Sequence, residues 1–146
     1  MIRNGWHIYF IKRLFGKQRR DLQAEVHRLK KTLSSEDYRH HPAVKMYAAI
    51  MVAIKEKITD DPASQFALQG TLKKYGRVKK MGLPNRYRLF FRALQTPDYK
   101  AIFIIWLGYP RKEGDKNDCY RAFSKMVARG EFPESLDDLL LSSEQD

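Results

Sequence analysis

Cysteine is nearly missing from this chain: Cys119 is the only one among 146 residues, so no internal disulfide can form and a reducing compartment fits. Long apolar runs are missing too. The longest, Ala101 to Gly108, falls far short of the roughly 20 residues a membrane helix needs. No secretory leader is read in the first 16 residues, where Trp6, His7, Lys12 and Arg13 interrupt the apolar stretch and no small-residue cleavage site follows. A cytoplasmic protein without a membrane partner is expected. Phosphate-cradling glycine loops of the G-x-x-x-x-G-K-[ST] and G-x-G-x-x-G types are absent. The four histidines have no metal-ligand spacing with cysteine, and His40-His41 beside Pro42 reads as a surface pair rather than a zinc site. Cys119 follows Asp118, which disfavours a thiolate, so it reads as a packed structural residue. Glu25 and Glu56 stand alone among lysines and form no acid/base pair. The expectation is a site with no metal and no cofactor.

Acid is scarce where it would balance the cations. Net charge is +11, and the last 16 residues hold six acids (Glu131, Glu134, Asp137, Asp138, Glu144, Asp146) with no Lys or Arg. Residues 1–130 therefore carry a net +17. A body this basic suits a nucleic acid, a ribosome or an acidic protein, because each neutralised phosphate releases condensed counterions. The division expected is one domain over 1–130 and an acidic tail over 131–146, solvated rather than folded back on the body. At 43% hydrophobic residues the chain can bury a core.

Hydrophobic periodicity gives the order of elements. Asn4 to Ile11 reads as a first strand. Arg13 to Arg20 reads as a basic turn punctuated by Gly16. Leu22, Val26, Leu29 and Leu33 form one helical stripe over about 18–33. Ser34 to His41 is read as a polar connection, then Pro42 opens a second helix reaching about Lys57. Three strands follow at about 76–82, 86–95 and 100–108, joined by turns at Leu83-Pro84-Asn85 and Thr96-Pro97-Asp98. The last of these strands is apolar on both faces, the mark of an interior strand covered on both sides. After a loop from Gly108 to Lys116, Asn117 is placed to cap a helix over 118–128 that Gly130 ends. The result is an α+β domain with an N-terminal strand, a helical hairpin, a three-stranded antiparallel meander and a C-terminal helix.

The richest stretch is Tyr75 to Arg92. Strand alternation puts Arg86, Arg88 and Arg92 on one side and Tyr87, Leu89 and Phe91 on the other. Arg77 and Lys79 share a face of the preceding strand, and Lys80 adds a further cation. If the strands pair, these rows meet, and like charges placed opposite one another repel. Such a face makes sense with phosphates filling it, or else as a protected edge strand. Phe90 falls on the arginine face, where it either stacks on an unpaired base or turns to a core.

These side chains suit RNA cleavage. The 2′-hydroxyl of the substrate is the nucleophile, arginines supply electrostatic stabilisation, and a lysine or tyrosine among cations can move a proton. Tyr120 is such a candidate, or else packs in the core with Phe123 and Val127.

In order and spacing, Asn4-Gly-Trp6, the Leu22 to Lys30 helix, Asp61-Pro62, Asn85 to Arg92, Ile105-Trp-Leu-Gly108, Asp118 to Met126, Arg129-Gly130 and Pro133 resemble the YhaV toxins of bacterial type II toxin–antitoxin systems, relatives of RelE. The resemblance implies a RelE/ParE-like fold and metal-independent cleavage of mRNA at the ribosome, which inhibits translation. It also implies a cognate antitoxin, usually of the PrlF type. Carried over, the family's site residues become Arg77 and Lys79, Arg88, Arg111 or Lys116, and Tyr120. The candidate catalytic set is thus Lys79, Arg86, Arg88 and Tyr120, with Arg77, Lys80, Phe90, Arg92, Arg111 and Lys116 as RNA-binding candidates. The loop from Gly108 to Asn117 is shorter than the family's usual one, which singles out its cations as the least well matched. Two further readings stand beside the ribonuclease: a non-catalytic ribosome or nucleic-acid binder, and a ParE-like gyrase inhibitor.

Overall fold

A computed structural model describes residues 1–62, 66–109 and 118–146. The centre of the fold is β5 (Tyr99–Gly108). It pairs in parallel with β2 (Trp6–Ile11) and antiparallel with β4 (Arg88–Thr96), which in turn pairs with β3 (Gly76–Lys79). β1 (Ile2–Arg3) and β6 (Ser143–Glu144) pair antiparallel with β2, completing a six-stranded sheet. From Ala101 to Leu107 every residue of β5 is buried, as an apolar run without alternation requires of a strand covered on both faces.

A bulge divides those side chains between two cores. Phe90 pairs with Trp106 and Phe91 with Ile104, so Ile105 has no partner on β4. The extra residue shifts the alternation, and Ile105 and Trp106 both join the core that also holds Phe90, Phe103 and Phe123. The opposite face, with Ile8, Phe10, Leu89, Phe91, Ile102 and Ile104, packs under Phe15, Ile50, Ile54 and Ile58. Each large side chain buried this way contributes about 1.5–3 kcal/mol.

Helices α1 (Lys17–Thr32), α2 (Ser35–His40) and α3 (Pro42–Val52) follow in chain order. The basic turn expected before α1 is helical: Lys12–Gly16 forms a wide π-helical turn running into it. Gly16 fits because a Cβ there would strike the Glu144 carboxylate. Gln18 then plugs the end of β5, its amide nitrogen donating to the Leu107 carbonyl and its oxygen accepting from the Leu107 N–H, both at 2.9 Å. Ser34 to His41 is not a plain connection either. Ser34 accepts from Asp37 N–H and caps α2, while His40 bonds the Glu36 carbonyl and His41 accepts from Ala43 N–H. A second π-helical turn, Ala53–Ile58, extends α3 to the expected end.

The first strand is a hairpin. Asn4 and Gly5, at φ 52° and 81°, make its tight turn, the geometry an Asn-Gly pair favours. β3 is shorter than expected, because Lys80 and Met81 adopt φ of 61° and 55° and leave the extended region. Pro97 and Asp98 close the β4–β5 hairpin as expected.

α4 (Asp118–Ala128) covers the second face. Gly130, at φ 65°, ends it: Gly130 N–H bonds the Val127 carbonyl and Glu131 N–H the Met126 carbonyl, a Schellman motif. Asn117, the expected cap, lies outside the described residues, as does the loop before it. The acidic segment is folded, not solvated. Ser135 caps α5 (Leu136–Leu141), Phe132 and Leu139 are buried, and β6 extends the sheet. Glu144 pairs with Arg20, and Asp146 with the buried Arg19 at 3.0 Å. The boundary drawn at residue 130 therefore cuts through one sheet. Among the described residues, no helix is long and apolar enough to cross a membrane.

Gly76 lies directly under the Phe91 ring, where an added Cβ would sit 2.8 Å from Cε1. Gly76→Ala is expected to lower stability by about 1–3 kcal/mol through overpacking, read as a lower urea midpoint at unchanged slope.

Candidate active site

A stack of flat rings carries α4 on the sheet. Phe123 stacks on Phe90 with centroids 4.2 Å apart and planes 8° from parallel, and Phe90 stacks in turn on Trp106 at 5.8 Å. Three residues before Phe123, Tyr120 projects over the β3–β4 pair and meets Phe90 edge-on at 5.9 Å. Its hydroxyl oxygen accepts two hydrogen bonds, from Arg77 Nε at 2.9 Å and from Arg88 Nε at 3.0 Å. Arg88 Nη1 also donates to the Tyr87 carbonyl at 2.8 Å, fixing the guanidinium against its own strand. Cys119, one residue earlier on α4, is buried and donates from Sγ to the Arg86 carbonyl.

The sheet register explains why the cations meet. Lys79 lies opposite Arg88 and Arg77 opposite Phe90, so all four project toward α4. Sharing one phenol oxygen brings the two guanidinium Nε atoms within about 6 Å, where like charges repel by on the order of 1–3 kcal/mol at half-exposed sites. The Tyr120 hydroxyl takes up N–H bonds without cancelling that charge. An anion arriving over Arg77, Lys79 and Arg88 would cancel it.

Three expected residues are not set as open, strand-borne binding groups. Arg86 has φ 69° and precedes the strand, so strand alternation does not set its side chain. Phe90 is on the arginine face, but it is fully buried between Trp106 and Phe123 and has no face left for a base. Arg92 is drawn away, donating to the Glu134 carbonyl and lying over the Tyr75 ring at 5.9 Å. Lys79 and Lys80 are exposed, with Lys80 in the left-handed turn after β3. Arg111 and Lys116 lie outside the described residues. Tyr75 is a further phenol on this side of the sheet, beside Arg92. It is buried, and that burial pushes its pKa up, against the opposing pull of Arg92, so it is poorly suited to moving protons. Trp106, Tyr87 and Phe123 hold the pieces in place; sequence puts them inside the stretches that carry the family resemblance but assigns them no part in the site.

A family model for a toxin with endonuclease activity, of a toxin–antitoxin system, matches residues 9–144. The chain belongs to the YhaV toxin family. Membership supplies an endonuclease activity and an antitoxin partner, and it sets aside the non-catalytic and gyrase readings. The YhaV match spans the C-terminal acidic segment as well as the basic body. "Toxin YhaV" of Escherichia coli O6:H1 strain CFT073 is 34% identical over 150 residues, covering 97% of this chain and 94% of the relative. "Ribonuclease toxin YhaV" of Escherichia coli strain K12 matches with the same identity and coverage. No solved structure matches significantly.

If Phe90 is a joint and not a platform for a base, Phe90→Ala should cost about 3–5 kcal/mol of stability, measured by chemical denaturation. Weakened RNA binding at wild-type stability would contradict that role.

Proposed function

We propose that the endonuclease activity is directed at RNA and is carried by Tyr120 with Arg77, Lys79 and Arg88. The observation behind this reading is the bonding of one atom. A phenol oxygen has two lone pairs and one hydrogen. Arg77 and Arg88 occupy the lone pairs, so the hydrogen is turned outward as a donor. A proton donor held between cations matches what the leaving oxygen of a phosphodiester requires.

In the reaction, the substrate 2′-oxygen bonds to phosphorus and the bond from phosphorus to the 5′-oxygen breaks. The 2′-hydroxyl proton passes to solvent, while Lys79 draws in the phosphate. Tyr120 gives its proton to the departing 5′-oxygen, and the two guanidinium groups take up the charge left behind. The products are a 2′,3′-cyclic phosphate and a 5′-hydroxyl. The name "Ribonuclease toxin YhaV" of one relative supports RNA as the substrate. The basic body supports a large polyanionic partner, which we take to be mRNA on the ribosome. The antitoxin is proposed to be of the PrlF type. A strand parallel to the meander's last strand, with helices on both faces, agrees with a RelE/ParE-like arrangement.

Tyr120→Phe keeps the ring and its edge contact with Phe90 but removes the proton. The expected loss of cleavage is about 10²–10⁴-fold at unchanged melting temperature. Arg88→Ala is expected to lose about 10²–10³-fold. Cleaved ends are read by ligation chemistry. A 3′-hydroxyl with a 5′-phosphate, or equal cutting of substrate lacking the 2′-hydroxyl, would overturn the mechanism.

A further inference from the structure

We propose a second nucleotide-binding subsite on the flank of α4 opposite Tyr120, one that reads a base next to the cut; it rests on the RNA-cleaving reading above. Between α4 and the sheet lies a groove of about 440 Å³ whose lining includes Trp106, Tyr109, Lys125, Arg129 and Glu131. A smaller hollow bounded by Arg13 and Glu131 adjoins it. Helical geometry separates this groove from the first site. Lys125 and Arg129 follow Tyr120 by five and nine residues, which turns them about 140° and 180° around the helix. Lys125 lies only about 7–8 Å farther along the axis. A strand bound at Tyr120 therefore meets the groove within its neighbouring nucleotides.

The chemistry fits a nucleotide rather than a peptide or a simple anion. Tyr109 is 45% exposed beside the buried Trp106, giving an aromatic surface on which a base can stack. Lys125 and Arg129 are exposed and suited to phosphate. Among the described residues neither cation, nor Glu131, has a side-chain hydrogen bond or ion pair, so all three are open to a ligand. Glu131 is the telling member. A carboxylate in a phosphate-binding groove opposes the ligand's charge unless it accepts from a donor, and a base amino group is such a donor. The Schellman turn at Gly130 returns the chain there and puts Glu131 on the groove. Cations for the backbone, an aromatic for the base plane and an acid for the base edge are the three parts of base readout.

Two measurements test this. The first is made in Tyr120→Phe protein, to prevent turnover, with a short single-stranded RNA of mixed sequence. Adding Lys125→Ala and Arg129→Ala should weaken binding on the order of tenfold and reduce the slope of log K against log salt by about 1.4, the value for two phosphates on a single strand. The second maps cleavage sites on RNA pools with Tyr120 intact. Glu131→Leu, which removes the acceptor, should redistribute the bases at one position flanking the cut, away from those that offer an amino group. An unchanged salt slope, or an unchanged base distribution in a folded Glu131→Leu variant, overturns the subsite while wild-type cutting continues. If the wild-type protein cuts no RNA at all, it is the cleavage reading that fails, and the subsite falls with it.

Discussion

The Phe90–Phe123 stack is the joint on which the site depends. β3 and β4 supply the arginines and α4 supplies the tyrosine, two parts of the chain joined by no local periodicity. Two rings lying 8° from parallel with Trp106 beneath fix the height and roll of the helix on the sheet. The bulge at Ile105 is what brings Trp106 to that face: with regular alternation it would join the core under α1 and α3. One unpaired residue in β5 thus sets the floor under both flanks of α4. Gln18, bonding Leu107 from the other layer, closes the strand immediately past the bulge.

Much of the frame was legible because its causes are local or periodic. Ala101 to Leu107 announces a doubly covered strand by being apolar without alternation. Pro42 and Gly130 sit where a missing N–H and a left-handed φ are useful. The meeting of Lys79 with Arg88 follows from strand pairing. The union of Tyr120 with Arg77 and Arg88 had a different source. Arg88 and Tyr120 are 32 residues apart; the chemistry of RNA cleavage offered Tyr120 as a proton carrier among the arginines, and family resemblance assigned both to one site.

What was misread depended on coverage or backbone conformation. Alternation correctly placed Phe90 on the arginine face; whether α4 covers that face is a tertiary fact. Arg86 alternates in sequence but turns at a positive φ, which a non-glycine residue gives no notice of. The acidic segment looked solvated because composition is judged locally. The buried partner of Asp146 is Arg19, 127 residues away, and its own ring contact is with Phe10. Glu144 and Asp146 are committed to Arg20 and Arg19, and Glu134 to Lys74, so none of these ion pairs falls on Arg77, Lys79 or Arg88. The cations there keep their charge for a ligand.

The same economy operates inside the site. A guanidinium carries five N–H donors, of which Arg77 and Arg88 each give one, at Nε, to Tyr120. Arg88 gives another to the Tyr87 carbonyl. Each group therefore still presents N–H donors after it has oriented the phenol, and can bind phosphate without releasing it. A lysine has three donors on one nitrogen but no rigid fork to hold the phenol and a phosphate at separate, fixed positions. In the proposed mechanism, orientation of the proton donor and attraction of the scissile phosphate are in this way two uses of the same pair of side chains. Neither use is available until Phe123 has set the helix on Phe90.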